Sequence, residues 1–503
     1  MRDSTGVADD VTQFNNSSRS PASPSPTSSS PSTSSASTSA FDVVVIGAGS
    51  GGYACALRAA ELGMRVAMVE RDLIGGTCLH RGCIPTKALL HVAETADAVR
   101  EAAEIGVRAD LHGVDYEAAS AFAGRTVARL DQGLRQLIKS RGIVTLVGTA
   151  TLDGPHTVVV EGTDAGRYEG TDVVIATGAR PRSLPGIVSD GVRVITSNEA
   201  LKLTELPARV IVLGGGVIGV EFASMWTSMG VDVTILEALD RLLPTEDAAS
   251  SSALQRAWRK RGINVRTGVR VSGVDSREDG VTVHLQEGDP LDADLLLVAV
   301  GRGPVTDELG LVDAGVTIEQ GFVTVDAALR TSAAGVWAVG DVVAGLQLAH
   351  RGFAHGIHVA EQIHAAATGA PPPPPLPPEE HVPRITYSDP EVGSVGLTEI
   401  AAKERYGADQ VESFSYPLTA NGRSLVLGTA GHAKLIRVVD GPIIGVHVVG
   451  RRAGELMGEA MLMVGWEAHP EDVAGYIHPH PTQSEAIGEA ALALAGKPLH
   501  VHG

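Results

Sequence analysis

Cys78 and Cys83 stand with four residues between them in the stretch GGTCLHRGCIPTK (75–87), in a chain whose only other cysteine is Cys55. Two thiols so close suit thiol–disulfide exchange, in which a thiolate is the working species. Pro85, two residues after Cys83, suits a first helical turn, where free N–H groups and the helix dipole favour a thiolate. The alternatives are a metal site, which needs more ligands than this segment offers, and a pair of buried free thiols. Cys55, within GYACALRAA, reads as a packing residue. Lys87 follows on the same helical run, and Glu221 opens a later helix. Taken singly, they read as a solvated lysine and a carboxylate complementing a dipole. Near the C-terminus, HPHPTQSE (478–485) places Glu485 five residues after His480. A histidine exchanges protons near neutral pH, and a carboxylate on its second ring nitrogen fixes the tautomer. Spacing alone leaves open a catalytic dyad, two histidines on a surface turn, or a weakly supported metal pair.

The elements that must position these groups show in the hydrophobic pattern. A strand at 41–46, the loop GAGSGG (47–52), a helix at 51–62 and a strand at 65–70 begin a βαβ unit. The order repeats with a strand at 210–213, a glycine loop at 214–219, a helix at 220–229 and a strand at 232–237. The first glycine and the terminal acid are 23 residues apart in both copies, Gly47 to Glu70 and Gly214 to Glu237. Gly47, Gly49 and Gly52, like Gly214, Gly216 and Gly219, let backbone approach a pyrophosphate at a helix N-terminus. Glu70 and Glu237 are placed to accept from a ribose 2′-hydroxyl. Such an acid repels a 2′-phosphate, so the second site favours NAD over NADP. Two dinucleotide-binding domains are therefore expected.

The 503 residues suffice for several domains, and 44% hydrophobic with 20% charged residues is ordinary for a globular protein. The formal net charge of -19, with no dense basic patch, argues against nucleic acid as a partner. Three cysteines fit a reducing compartment, and a cytoplasmic location is expected. No apolar run approaches the roughly 20 residues of a membrane helix. Residues 1–40 are rich in Ser, Thr and Pro and read as a disordered extension; Asp3, Asp9 and Asp10 disfavour a transit peptide. The proline run at 371–378 reads as a stiff linker before a separate α+β segment with strands in HAKLIRVV and IIGVHVVG.

Taken together, GAGSGG, GGTCLHRGCIPTK, ATG (176–178), GGGVIGVE (214–221), VWAVGD (336–341) and HPHPTQSE occur in an order that closely resembles the flavoprotein disulfide reductases. The likeness runs from residue 41 to about 501. It is strongest to the members that serve as the FAD component of 2-oxo-acid dehydrogenase complexes and oxidise protein-bound dihydrolipoamide with NAD. The resemblance implies an α/β fold with FAD and NAD domains of Rossmann type and a C-terminal α+β dimerisation domain. It divides the chain into 41–190 (FAD and redox disulfide), 191–310 (NAD), 311–378 (completing the FAD site) and 379–503 (interface). It assigns Gly47, Gly49, Gly52, Glu70, Thr77, Thr177, Gly178, Asp341, Leu348, Ala349 and His350 to FAD, with Lys87 near the flavin ring and Glu221 paired to it. Gly214, Gly216, Gly219, Glu237 and Gly301 fall to NAD, and no metal is implied. Cys78 matches the interchange thiol and Cys83 the flavin-facing one, paired as a disulfide. His480 matches an acid–base histidine oriented by Glu485, acting across an obligatory homodimer. Lipoyl domains and complex core subunits are the implied partners.

His80, Thr86, Gln347, Pro479 and the string GRGPV depart from the commonest family pattern, though none removes a reacting group. Mercuric and high-mass thioredoxin reductases would need a C-terminal redox group, and no cysteine follows Cys83. Glutathione reductase prefers NADP, which Glu237 opposes. A non-catalytic assembly role is disfavoured by the intact cysteines and dyad.

Overall fold

A computed structural model describes residues 39–501; the expectation of a disordered extension falls, but for its last two residues, outside them. Those two residues join the first strand, Ser39–Ile46, because its backbone continues to pair with Tyr168 and Glu169 before Phe41 is reached. Val43, Val44 and Val45 are fully buried, as a central parallel strand covered on both faces requires.

The first sheet has seven strands. Val144–Val147, Val66–Glu70, Ser39–Ile46 and Gly166–Ile175 lie parallel in that order. Thr157–Glu161 and Thr149–Leu152 extend it antiparallel. The late strand Val336–Ala338 also pairs with Gly166–Ile175, so distant segments share one sheet. The second sheet has five parallel strands in the order Asn264–Arg266, Asp232–Leu236, Arg209–Leu213, Leu295–Val298, Val194–Ile195. The third main sheet is antiparallel, in the order Arg384–Thr386, Glu391–Gly396, Ile443–Gly450, His432–Val438, Val411–Pro417. Helices Met457–Gly465 and Glu485–Leu494 pack on it around Ala460, Ile487 and Ala490. The architecture is thus two dinucleotide-binding α/β units followed by an α+β unit.

The helices after the two glycine loops are Ser50–Glu61 and Val217–Ser228, capped by Gly49 and Gly216. The second begins one turn before the expected 220, as the first copy does after its own second glycine. The third glycine of each loop therefore lies inside the first helical turn. The expected helix after the cysteines spans Cys83–Glu101, with Cys83 as its first residue. Cys78 belongs to a separate short helix, Gly76–Arg81, and Gly82 forms the break between them.

Candidate active site

Cys78 and Cys83 are both partly buried free thiols whose ionisations influence one another. The S–H of Cys78 donates to Cys83, which is the main reason the Cys83 thiol is pushed down to about 7; burial opposes this and Lys87 reinforces it. The same bond, lost if Cys78 ionises, pushes Cys78 up, with burial adding to it. When the pair gives up one proton, the remaining proton is favoured on Cys78 and the charge on Cys83, at the helix N-terminus where unpaired N–H groups stabilise an anion.

Lys87 lies one helical turn after Cys83. Its Nζ donates to both carboxylate oxygens of Glu221 at 2.9 Å. Glu221 Oε1 also accepts the Tyr387 backbone N–H at 3.0 Å, and the Tyr387 ring centroid lies 4.6 Å from Nζ. Burial alone would depress Lys87, but the charge and hydrogen bonds of Glu221 outweigh it, and the ammonium is held above its ordinary pKa. One lysine is thus fixed as a cation by all three domains. Spacing alone offers no ground for pairing Lys87 with Glu221, which only the family resemblance implies, and Tyr387 was not among the expected site residues.

The two glycine loops are atomic repeats of one another. Ala48 N donates to Glu70 Oε2 at 2.7 Å and Asp72 N to Oε1 at 2.9 Å. Gly215 N donates to Glu237 Oε2 at 2.6 Å and Leu239 N to Oε1 at 2.7 Å. Each acid orients its own loop and keeps lone pairs free for a ribose hydroxyl. A Cβ on Gly52 would sit 1.9 Å from Gly47 O, and one on Gly219 would sit 2.0 Å from Gly214 O. Gly49 and Gly216, by contrast, face open space in which a Cβ would meet nothing within 4 Å. Space beside the N-cap of a helix of 12 residues is what a pyrophosphate requires.

Both loops and both cysteines line one continuous cavity of about 1400 Å³. That exceeds the roughly 300–1,000 Å³ of a single small-molecule pocket. Thr77, Thr177, Gly178 and Gly301 are on its wall, as are Leu348, Ala349 and His350 where the helix Ala349–Thr368 begins. Thr177 Oγ1 donates to Val305 O at 2.6 Å, and His350 Nε2 donates to Pro383 O at 2.9 Å. Asp341 is also there, its carboxyl pushed up by burial against the pull of Arg302 and Arg351. Arg302 and Gln347 line the cavity, and each has a buried nitrogen, Nε and Nε2 respectively, without a partner among the described residues. Buried donors left free on such a wall, with the open loop space, fit a dinucleotide with a polar ring system. Arg302 lies in GRGPV, a string whose departure from the family was visible but whose buried donor was not.

His480 Nδ1 and Glu485 Oε1 are 2.8 Å apart. A carboxylate only accepts, so Nδ1 carries the proton and Nε2 is left bare as a base. Burial would raise the Glu485 carboxyl, but the Thr482 N–H at 2.7 Å and His480 hold it below its usual range. Neither residue lines the cysteine cavity, and the His480 side chain is 79% exposed. Gly52 and Gly219 are likewise off the cavity wall, acting as close-packed glycines behind it. Among the described residues, no group of three or more His, Cys, Asp or Glu side chains is placed to hold a metal ion, and no helix is long and apolar enough to cross a membrane.

Residues 41–356 match the model of the pyridine nucleotide-disulphide oxidoreductases, and residues 382–491 match the dimerisation domain of the same family. The chain belongs to this family, whose enzymes use FAD and a pyridine nucleotide. Its similar relatives are dihydrolipoyl dehydrogenases. That of Bacillus subtilis is 40% identical, covering 92% of this chain and 99% of its own, and that of Thermus scotoductus is 39% identical with the same coverage. Among solved structures, LpdA from Mycobacterium tuberculosis superposes with a TM-score of 0.82 at 28% identity, over 91% of this chain and 100% of its own. The HOCl-induced flavoprotein disulfide reductase RclA from Escherichia coli reaches 0.81 at 29% identity, over the same shares.

Proposed function

We propose that this chain oxidises protein-bound dihydrolipoamide to lipoamide and reduces NAD, as the dehydrogenase component of 2-oxo-acid dehydrogenase complexes. The observation that carries the reading is the cysteine pair on the wall of one cavity that two dinucleotide loops also line. The relatives named dihydrolipoyl dehydrogenase support the substrate. The enzyme works as a homodimer, in which His480 of the partner subunit serves each cysteine pair. The exposure of His480 and its absence from the cavity of its own chain support this.

In the oxidised enzyme Cys78 and Cys83 form a disulfide. His480 Nε2 takes a proton from one dihydrolipoamide thiol, and the resulting thiolate attacks Cys78 Sγ. The Cys78–Cys83 bond breaks and Cys83 departs as a thiolate, stabilised by Lys87 and the helix N-terminus. The second substrate sulfur displaces Cys78 Sγ to form the lipoamide disulfide, and its proton passes to Cys78, so that one proton stays on His480, the other on Cys78, and the charge on Cys83. Two electrons then reside on the cysteine pair and two protons have left the substrate. FAD, when bound, supplies the two-electron relay between that dithiol and NAD. Gly47, Gly49, Gly52 and Glu70 would hold its pyrophosphate and ribose, with Lys87 and Asp341 toward its ring and ribityl portions. Gly214, Gly216, Gly219, Glu237 and Gly301 would hold NAD. Lipoyl domains and core subunits of a complex are the proposed partners, in the cytoplasm, and a chain of net charge -19 suits a basic docking partner.

Purified holoenzyme tested with dihydrolipoamide and NAD, and separately with glutathione disulfide and NADPH, decides the reading. Turnover is expected only with the first pair, and turnover only with the second overturns it. Changing His480 to Gln should lower lipoamide turnover by about 10²–10⁴-fold, the usual worth of an acid–base group. A loss below about threefold removes His480 from the scheme.

A further inference from the structure

The scheme above uses only the second histidine of the His-Pro-His segment, yet the first is the more firmly held. His478 Nε2 lies 2.7 Å from Oε1 of Glu459, in the first turn of the helix Met457–Gly465. The His478 side chain is 15% exposed, against 79% for His480. Against the other edge of its ring lies Gly488, inside the helix Glu485–Leu494, where a Cβ would come within 2.6 Å of His478 Nδ1. Glycine is therefore needed to admit the imidazole. Tyr476 and Ile477, just upstream, are 80% and 97% exposed. Downstream of His480, Thr482 fixes the loop by donating from Oγ1 to Pro479 O at 2.6 Å and from its N–H to Glu485. His478 is thus the packed, half-buried anchor on one side of His480, and Thr482 the anchor on the other. The acidic groups facing His478 are Glu459 from one helix and Glu485 from the other; the Glu459 hydrogen bond pushes its pKa up against burial, and Glu485 adds to it. Glu459 offsets the imidazolium charge, so the anchor holds the loop without placing a net cation beside the His480–Glu485 pair.

We propose that His478 is a positioning residue for thiol oxidation: clamped between Glu459 and Gly488, it sets the reach of His480 Nε2 toward the substrate thiol. The inference rests on the dihydrolipoamide reading above, with His480 as the acid–base group. The test uses the homodimeric holoenzyme carrying His478→Ala, His478→Gln or His480→Ala. The readout is the ratio of dihydrolipoamide–NAD turnover to NADH–ferricyanide reduction, the latter needing no proton transfer by His480. His478→Ala should lower this ratio by about 10- to 100-fold, the scale of a small misplacement of a reacting group. His478→Gln, whose amide can still donate to Glu459, should return it to within about threefold of the unaltered enzyme. The inference is overturned by a His478→Ala ratio within about twofold of the unaltered enzyme, by Gln failing to restore what Ala loses, or by both activities falling together, which would mark a merely structural role. If His480→Ala keeps the ratio, the dihydrolipoamide reading itself falls. If His480→Ala collapses it while His478→Ala does not, only the positioning role falls.

Discussion

Replacing Cys78 tests where the proton and the charge of the cysteine pair reside. The Cys83 thiol is pushed from its ordinary 9.0 to about 7, and the leading cause is the hydrogen bond from Cys78. A shift of about two units corresponds to ~2.7 kcal/mol in favour of the thiolate. A hydrogen bond to a charged group contributes ~1.5–3 kcal/mol, enough to supply most of it. Cys78→Ala deletes the donor and leaves Lys87 to oppose burial and Glu221. Cys83 should then rise by about 1–2 units, and its thiolate fraction at pH 7 should fall from about one half to roughly 1–10%. Cys78→Ser keeps an O–H in the same place and should hold Cys83 near its present value.

The assay is the rate of iodoacetamide alkylation of the reduced variants against pH, with the modified residue identified by mass spectrometry. Cys55 is silent, because it is fully buried and burial pushes its thiol up to about 12. The rate at pH 7 should be about 5- to 50-fold lower for Ala than for Ser, and the two should converge at high pH once Cys83 is ionised in both. Midpoints of the two variants within half a unit of each other would refute the reasoning and transfer the low pKa to Lys87 and the helix N-terminus.

Lys87→Met leaves Glu221, 6% exposed, without its counter-charge. The expected loss is at or below the low end of the ~3–5 kcal/mol of a broken buried pair, because Lys87 is one-third exposed, and denaturant melts read it. Gly216→Ala should leave the melt of the ligand-free protein within about 0.5 kcal/mol but weaken NADH binding in titration, whereas Gly219→Ala should destabilise outright, since only its Cβ meets backbone. Glu237→Ala should lose NADH affinity without an equal gain for NADPH, because it frees the loop N–H groups of Gly215 and Leu239 as well as removing a charge. Burial pushes the Glu391 carboxyl from its ordinary 4.5 up to about 7. The folded state then binds the proton more tightly than the unfolded one, so this group's contribution to stability falls as pH rises from about 4.5 to about 7. Glu391→Gln, which can still accept the Gly454 N–H seen at 2.9 Å, should therefore raise Tm more at about pH 8 than at about pH 5, and an equal effect at both would contradict the assignment.

What could be read in the sequence was local in the chain. The loop glycines, Glu70, Glu237 and the place of Cys83 in a first helical turn follow from short-range rules of φ, helix ends and strand periodicity. These rules do not depend on distant partners. Element edges were read less well, for the same reason. The second Rossmann helix starts at Val217 because its N-cap is the second glycine, and the first strand reaches back to Ser39 because a distant strand continues to pair with it. From spacing, His480 and Glu485 were one of several readings, and only the resemblance made them a dyad, since the hydrogen bond that fixes the tautomer depends on the entry into a helix.

The part of the site that no local rule reaches is the part that no one domain can build, and only the resemblance of the whole chain to a family joined Lys87 to Glu221. Lys87 meets a carboxylate 134 residues away, and that carboxylate accepts an N–H a further 166 residues along the chain. Each group has an ordinary local reading when considered alone. Their meeting leaves a desolvated ammonium beside Cys83, and that charge opposes the burial which would otherwise keep both thiols protonated. Burial pushes Cys55 up to about 12, whereas Cys83, partly buried, sits near 7. The difference lies in three things the sheets and helices bring to Cys83 and not to Cys55: a neighbouring S–H, a helix N-terminus and a paired lysine. The domain junction supplies the last of these, so loosening the Glu221–Tyr387 contact should raise the alkylation midpoint of Cys83 by less than Cys78→Ala does, the larger share resting on the neighbouring thiol.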